Sequence, residues 1–231
     1  MNKSKLTKYR LTPMKQGPKI FITFISIIII GIAGFIFLYP KSPLYLLTEE
    51  CPPIEFPMEG DALNLTDFNG FNISNWGEPG VYHNGIDFPI NPNNWTGILA
   101  VADGTVTKIE ESGNTYAGGK IMFNVYVTIA RGWTVKYVIE PMATTEHENQ
   151  LQRDNIYVIK GQEITKGDRI ARLLCTGEEY SHLHFMLEMK NTVVCPYLYS
   201  SPAAKAIYEY LSTTYNKTIC CTCPDADGCT Q

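Results

Sequence analysis

Short runs of β-branched and aromatic residues, separated by glycine-containing turns, dominate the middle of the chain. The clearest runs are residues 97–101, 104–109, 121–129 and 133–139. Strands at such short intervals are typical of antiparallel all-β domains, because consecutive strands can then pair through short turns. The sequence therefore predicts an all-β core, built as an antiparallel β-sheet or sandwich.

A C-terminal helix is predicted after this core. Ser201 precedes Pro202. Proline suits the first turn of a helix because amide groups there make no hydrogen bond within the helix, so the lack of an amide hydrogen costs nothing. Apolar residues then recur at helical spacing, at Ala203, Ala204, Ile207, Tyr210 and Leu211. We expect this helix to pack on the sheet.

Residues 20–38 form an apolar run of nineteen residues without a charged side chain, which is long enough to cross a bilayer as a helix. The preceding segment holds six lysines and arginines and no acidic residue, so the positive-inside rule places the amino terminus in the cytoplasm. The alternative is a cleavable signal peptide, whose apolar core is usually only about 7–15 residues and is followed by a small-residue cleavage site. Residues 39–43 offer no such site, which favours a retained membrane anchor and an extracytoplasmic domain.

These features divide the chain into five predicted segments. They are a cytoplasmic basic segment (1–19), a transmembrane helix (20–39), a proline-rich linker (40–57), the β domain (58–200), and a C-terminal helix with a cysteine-rich tail (201–231). The linker assignment rests on its prolines, which fix φ and remove backbone hydrogen-bond donors.

The part of the chain after residue 40 is acidic. The whole chain carries a formal charge of −4, and without the six basic residues of the first segment the remainder carries about −10. We therefore expect no nucleic acid or other polyanion as a partner.

Three of the four histidines fall in two motifs that could share a metal ion. His182 and His184 lie two residues apart in an alternating apolar segment, so both rings project from the same face of a predicted strand. His83 and Asp87 form the other motif. Together the two motifs offer nitrogen and oxygen ligands of the kind that zinc takes.

His83 and Asp87 can share an ion only if the chain bends between them. Residues four apart on a straight strand are about 13 Å apart, whereas two ligands of one zinc ion lie about 3.4 Å apart. We expect Asn84 and Gly85 to make the bend, because both residues tolerate positive φ. The competing interpretation is an ordinary two-residue hairpin turn beside a solvated Asp87.

In order and spacing, these motifs resemble those of peptidase family M23, the lysostaphin/LytM-type zinc metalloendopeptidases. The matching segments are HNGID (83–87), ADGTV (102–106), GQEITKGDRI (161–170), TG (176–177) and HLHF (182–185). The resemblance implies an M23-like β fold and a Zn²⁺ ion held by His83, Asp87 and His184, with His182 as a catalytic residue beside the metal. It also implies hydrolysis of peptide bonds outside the cell, such as those of peptide cross-links in a cell wall.

One departure from the family pattern bears on activity. The family has a second catalytic histidine two residues after a tyrosine on a middle strand, and here the segment Tyr137-Val138-Ile139 places isoleucine at that position. Isoleucine cannot exchange a proton, so Glu140 or His147 would have to take over this function. The alternative to an active peptidase is a degenerate relative that binds a peptide, a cell-wall polymer or a partner protein. Retention of all three metal ligands argues against that alternative.

All seven cysteines lie after the predicted membrane segment, as expected if they form disulfides in an oxidising compartment. The odd number leaves one thiol without an intramolecular partner. A cysteine zinc site in the tail is the alternative, and a disulfide-stapled tail is the preferred interpretation. Set against the family pattern, Cys175 and Cys195 form a candidate disulfide pair.

Overall fold

The computed structural model describes residues 49–60, 65–73, 81–91, 95–175 and 180–220. The predicted basic segment, the predicted transmembrane helix, the first part of the predicted linker, the motif at 176–177 and the cysteines after Cys220 lie outside the described residues. Within the described ranges, no helix has the length and apolar character needed to cross a membrane.

Across these ranges the chain forms nine β-strands, two α-helices and one short 3-10 helix. In chain order they are β1 (Ile86–Pro89), β2 (Trp95–Leu99), β3 (Gly104–Asn114), β4 (Lys120–Ala130), β5 (Trp133–Glu140), α1 (Glu146–Asp154), β6 (Glu163–Ile164), β7 (Arg169–Leu174), β8 (His182–Met189), β9 (Thr192–Val194), the 3-10 helix (Pro196–Tyr199) and α2 (Pro202–Tyr215).

The main sheet has seven strands in the order β1-β8-β5-β4-β3-β6, with β9 also paired to β8. All of its strand pairs are antiparallel. Strands β2 and β7 form a separate antiparallel pair. The prediction of an antiparallel all-β core is confirmed, and three of the four predicted runs fall within β3, β4 and β5.

One hydrophobic cluster joins a face of the main sheet to the β2–β7 pair and to α2. Alternate residues of β5 and β8 point into it: Trp133, Val135, Tyr137, Ile139, Leu183, Phe185 and Leu187. Helix α2 contributes Ala204, Tyr208 and Leu211, and the Ser201 hydroxyl caps its first turn by accepting the Ala204 amide hydrogen. The predicted helix is therefore confirmed, although Tyr208 faces the core in place of Tyr210, which is exposed.

Residues shortly before Met58 pack into the hydrophobic core. Ile54 is fully buried and Phe56 is nearly so, and both belong to the central hydrophobic cluster. The indole of Trp133 also donates a hydrogen bond of 2.7 Å to the backbone carbonyl of Glu49. The predicted linker therefore contains core residues, which the proline pattern does not reveal because it gives no weight to the apolar side chains between the prolines.

Helix α1 was not predicted from the sequence. It is a polar helix without an apolar stripe, and its one clear signal is a capping box formed by Thr145 and Glu148. It attaches to the domain through the buried side chain of Gln152, which accepts a hydrogen bond from the Leu174 amide of β7. His147 lies exposed on its first turn.

The candidate pairing of Cys175 with Cys195 is wrong. Cys195 is bonded to Cys220, with a Cα–Cα distance of 6.2 Å. Cys175 is instead buried in the hydrophobic cluster. The family motifs carry no information on the segment after α2, which brings Cys220 back to the end of β9.

Candidate functional site

The register between β1 and β8 brings the two halves of the predicted metal site together. Asp87 lies directly opposite His184 in this antiparallel ladder. The Oδ1 atom of Asp87 lies 2.7 Å from Nδ1 of His184. His83 reaches the same point from the segment before β1, with Nε2 3.1 Å from that carboxylate oxygen and 3.1 Å from the same His184 nitrogen.

The donor set of His83, Asp87 and His184 fits a zinc ion. Each side chain offers one ligand atom, and the three atoms lie within 4.8 Å of one another. Two nitrogens and one carboxylate oxygen leave a fourth position open, as in catalytic zinc sites. The ring of His83 is fixed by a 2.7 Å hydrogen bond from Nδ1 to the Gly70 carbonyl, so Nε2 presents its lone pair to the cluster.

The chain bends between His83 and Asp87 as predicted, at Gly85, but not through positive φ angles. Neither Asn84 nor Gly85 adopts a positive φ. Glycine is required because the ring of His184 packs directly on it. A Cβ atom at Gly85 would lie 2.6 Å from Cε1 and Nε2 of that ring and 2.9 Å from the Phe185 carbonyl oxygen.

His182 lies beside this cluster and faces it with one nitrogen. Its Nδ1 is 2.9 Å from the Tyr180 carbonyl oxygen, to which it donates. Its Nε2 lies 3.5 Å from Oε1 of Glu140 and 3.8 Å from Oδ1 of Asp87. The predicted catalytic histidine is therefore positioned next to the three candidate ligands without belonging to their set.

The side chains of the site perturb one another's protonation. Burial raises the pKa of the Asp87 carboxyl, but the charges of His83 and His182 and the hydrogen bond from His184 hold that pKa well below its usual range. Burial lowers the pKa of His83, yet the Asp87 carboxylate outweighs it and the net pKa is raised. Burial also opposes protonation of His182, but Asp87 and Glu140 raise its pKa to about 9. The carboxylates thus favour positive charge here, whether protons or a divalent cation carry it.

Ile139, which the sequence pattern predicts in place of the family's second catalytic histidine, does not face the site. It is fully buried in the hydrophobic cluster and lies opposite Leu183, another core residue. Its neighbours on the strand face the other way. Val138 lies opposite His184, and Glu140 lies opposite His182. Because directly paired residues share one face of a sheet, the β5 side chains beside the histidines are valine and glutamate.

The three candidate ligands and His182 line a cleft of about 580 Å³ on the outer face of the sheet. Its wall on one side is the turn between β3 and β4, and its floor is apolar with a few polar groups. The lining residues are His83, Asn84, Asp87, Gly113, Asn114, Thr115, Tyr116, Ala117, Met122, Asn124, Lys136, Val138, Glu140, Met142, His182, His184 and Met186. His147 is not among them, so it does not join the site.

Sequence reasoning missed most of the cleft outside the histidine motifs. The side-chain amide of Asn114 donates to Oε2 of Glu140, and Lys136 and Asn124 project from β5 and β4 into the same space. No local motif identifies these residues, because strand register alone brings them beside the histidines. Glu140 is the exception, because the sequence already named it as a candidate to take over from the missing histidine, and the structure places it in the cleft.

The sequence model of peptidase family M23 matches residues 81–196, which is half of the 231-residue chain. No curated protein sequence matches the chain.

Several solved structures are similar to this chain at low sequence identity. A chain of the SpoIIQ-SpoIIIAH pore-forming complex is 16% identical with a TM-score of 0.48, covering 68% of this chain and 97% of that one. The catalytic domain of a mutant of the prophage-encoded M23 protein EnpA from Enterococcus faecalis is 18% identical with a TM-score of 0.39, covering 63% and 95%. The catalytic domain of the antimicrobial peptidase lysostaphin from Staphylococcus simulans is 19% identical with a TM-score of 0.37, covering 58% and 90%.

Proposed function

Because this chain belongs to peptidase family M23, we propose that it is a zinc metalloendopeptidase that hydrolyses peptide bonds outside the cytoplasm. The observation that carries this proposal is the convergence of His83, Asp87 and His184, whose three ligand atoms lie within 4.8 Å of one another. All three line a cleft of about 580 Å³, a size typical of ligand-binding sites.

The candidate ligands divide the work of holding the ion. A bound Zn²⁺ supplies a Lewis acid that polarises a carbonyl and makes water a better nucleophile near neutral pH. Asp87 contributes the negative charge. Because its side chain is buried, water screens this charge little. The Gly70 carbonyl orients His83, and Gly85 lets the ring of His184 approach β1.

His182 is proposed to stabilise the oxygen of the peptide carbonyl as negative charge develops on it. Hydrogen-bond donors fixed near such an oxygen lower the barrier because they need no reorganisation during the reaction. The Tyr180 carbonyl holds Nδ1, so the ring keeps Nε2 turned toward the cleft. The positive charge that Asp87 and Glu140 favour on this ring acts in the same direction.

The proposed substrates are peptides of a cell wall, with glycine-containing cross-links as the first class to test. The cleft floor supports a peptide substrate, since Met122, Val138 and Met186 offer apolar contact. Asn124 and Lys136 add polar groups to the same floor. A pocket with few polar groups on an apolar surface can hold a peptide while leaving its backbone oriented toward the ligands.

We propose that the protein is anchored in the cell membrane by a single helix at residues 20–39, with its amino terminus in the cytoplasm. Support comes from the uncharged run at 20–38 and the basic segment before it. The position of all seven cysteines after this run agrees with an extracytoplasmic domain.

A second candidate function is a binding module without turnover. The observation that favours it is Ile139, which stands where the family pattern has its second catalytic histidine and is fully buried in the core. In that case the cleft would hold a wall peptide or a partner protein. Hydrolysis is the property that separates the two candidates.

The proposed function predicts hydrolysis that depends on zinc. Treatment with a chelator should reduce cleavage of a glycine-rich peptide to background, because three side chains alone supply no Lewis acid. Addition of about one equivalent of Zn²⁺ per chain should restore cleavage, whereas Mg²⁺ should not, since magnesium prefers six oxygen ligands. Cleavage is followed by mass spectrometry of the products. Full zinc occupancy without cleavage of any wall-type peptide would leave the binding module as the function.

A further inference from the structure

The position beside His182 that a second catalytic group could occupy is held by a carboxylate. Glu140 lies directly opposite His182 in the β5–β8 ladder, and its Oε1 lies 3.5 Å from Nε2 of that histidine. It lines the same cleft as the three candidate ligands. Its side chain is only 8% exposed, so it lies within the site and is not a solvated surface group.

We propose that Glu140 is a catalytic residue of this enzyme, the group that accepts the proton of the attacking water and returns it to the leaving amine. The inference rests on the proposed peptidase function. A carboxylate would then serve in place of the histidine that the family carries on the same strand. In other zinc peptidases, with the H-E-x-x-H motif, a glutamate beside the metal has this role.

The two oxygens of Glu140 have different surroundings. The side-chain amide of Asn114 donates to Oε2. The other end of that asparagine is fixed as well, because its Oδ1 accepts the amide hydrogens of Tyr116 at 2.9 Å and Ala117 at 3.1 Å. Asn114 therefore braces the carboxylate from the β3–β4 turn, and Oε1 is left facing His182 and the cleft.

Position on the sheet gives this carboxylate the rigidity that proton transfer needs. Glu140 is the last residue of β5, which is paired with β8 on one side and β4 on the other. The preceding residue, Ile139, is fully buried and anchors the strand in the core. A base held on a paired strand keeps its oxygen within reach of one point.

The proposed step balances as a hydrolysis. The water oxygen forms a bond to the carbonyl carbon, and one of its O–H bonds breaks as the proton passes to Oε1 of Glu140. His182 stabilises the negative charge on the carbonyl oxygen. The C–N bond then breaks, and the proton moves from Glu140 to the departing nitrogen. One water is consumed, one acid and one amine are produced, and Glu140 returns to its carboxylate form.

The test compares Glu140→Gln with the zinc-loaded wild type. The amide keeps the shape of the side chain but cannot accept the proton, so kcat is expected to fall by about 10²–10⁴-fold. Zinc content, melting temperature and KM are expected to stay at wild-type values. The matched control is Glu163→Gln, the same chemical change at an exposed position of β6, where no change in kcat is expected.

A second variant, Glu140→His, restores an exchangeable proton at the same position. Its kcat should exceed that of Glu140→Gln, because imidazole can accept a proton and an amide cannot. Equal rates for these two variants, or a wild-type rate for Glu140→Gln, would overturn the assignment. Loss of zinc or of folded structure in Glu140→Gln would make the residue structural and would also overturn it. Absence of turnover in the zinc-loaded wild type would instead contradict the proposed function itself.

Discussion

Replacing His184 with alanine is expected to remove bound zinc and to abolish hydrolysis. Its Nδ1 lies within hydrogen-bond distance of both other candidate ligand atoms, so the variant leaves two ligands where a catalytic site needs three. Loss of a group that only orients a ligand typically weakens metal binding by about 10–100-fold, and loss of a ligand should cost more. The measurement is zinc per chain after gel filtration, alongside cleavage of a glycine-rich peptide.

The matched control for this experiment is His147→Ala. His147 is exposed on helix α1 and is not part of the cleft lining. Zinc content and cleavage should therefore equal those of the wild type. If the His184 variant kept stoichiometric zinc, the ion would be bound elsewhere and the ligand assignment would be wrong. If it lost zinc but cleaved the peptide at the wild-type rate, the metal would have no part in the reaction.

The second large effect is expected for Gly85→Ala. The added Cβ would lie 2.6 Å from two ring atoms of His184 and 2.9 Å from the Phe185 carbonyl oxygen. A backbone oxygen cannot move away easily, so β1 must separate from β8 or the His184 ring must turn. Overpacking of this kind costs about 1–3 kcal/mol of folding free energy. We therefore expect a lower melting temperature and weaker zinc binding in the same variant.

Gly113→Ala is the control for Gly85→Ala. A Cβ at Gly113 would have its nearest contact at 3.5 Å, which is an ordinary van der Waals distance. Its melting temperature and zinc content should match the wild type. Equal stability and zinc content in the Gly85 variant would show that the ring of His184 does not pack on this glycine as the structure has it.

The parts of the fold that the sequence predicted are those with a local signal. Alternation of apolar residues identified β3, β4 and β5, and a capped apolar pattern identified α2. Helix α1 has no apolar stripe, and polar contacts of Gln152 with β7 hold it in place, so periodicity could not reveal it. The burial of Ile54 was not predicted either, because the prolines around it indicate an extended linker.

The candidate metal ligands could be predicted because they belong to two short motifs of zinc-binding residue types. The arrangement around them was not, since it depends on strand register. The family pattern predicts the second catalytic histidine two residues after Tyr137, at position 139, yet both residues point into the core. The pairing of β5 with β8 instead turns Glu140 toward His182. Likewise, the need for glycine at position 85 comes from the ring of His184, nearly a hundred residues away in sequence, and not from its own backbone angles.

The most direct test of the proposed metal site is X-ray absorption at the zinc edge on the purified, zinc-loaded protein. Ligation by His83, Asp87 and His184 predicts a first shell made only of nitrogen and oxygen at about 2.0–2.1 Å, with the outer-ring scattering of two imidazoles. A first shell that contains sulfur at about 2.3 Å would place the ion among the cysteines and contradict the assignment. Failure of the protein to retain zinc at all would contradict it equally.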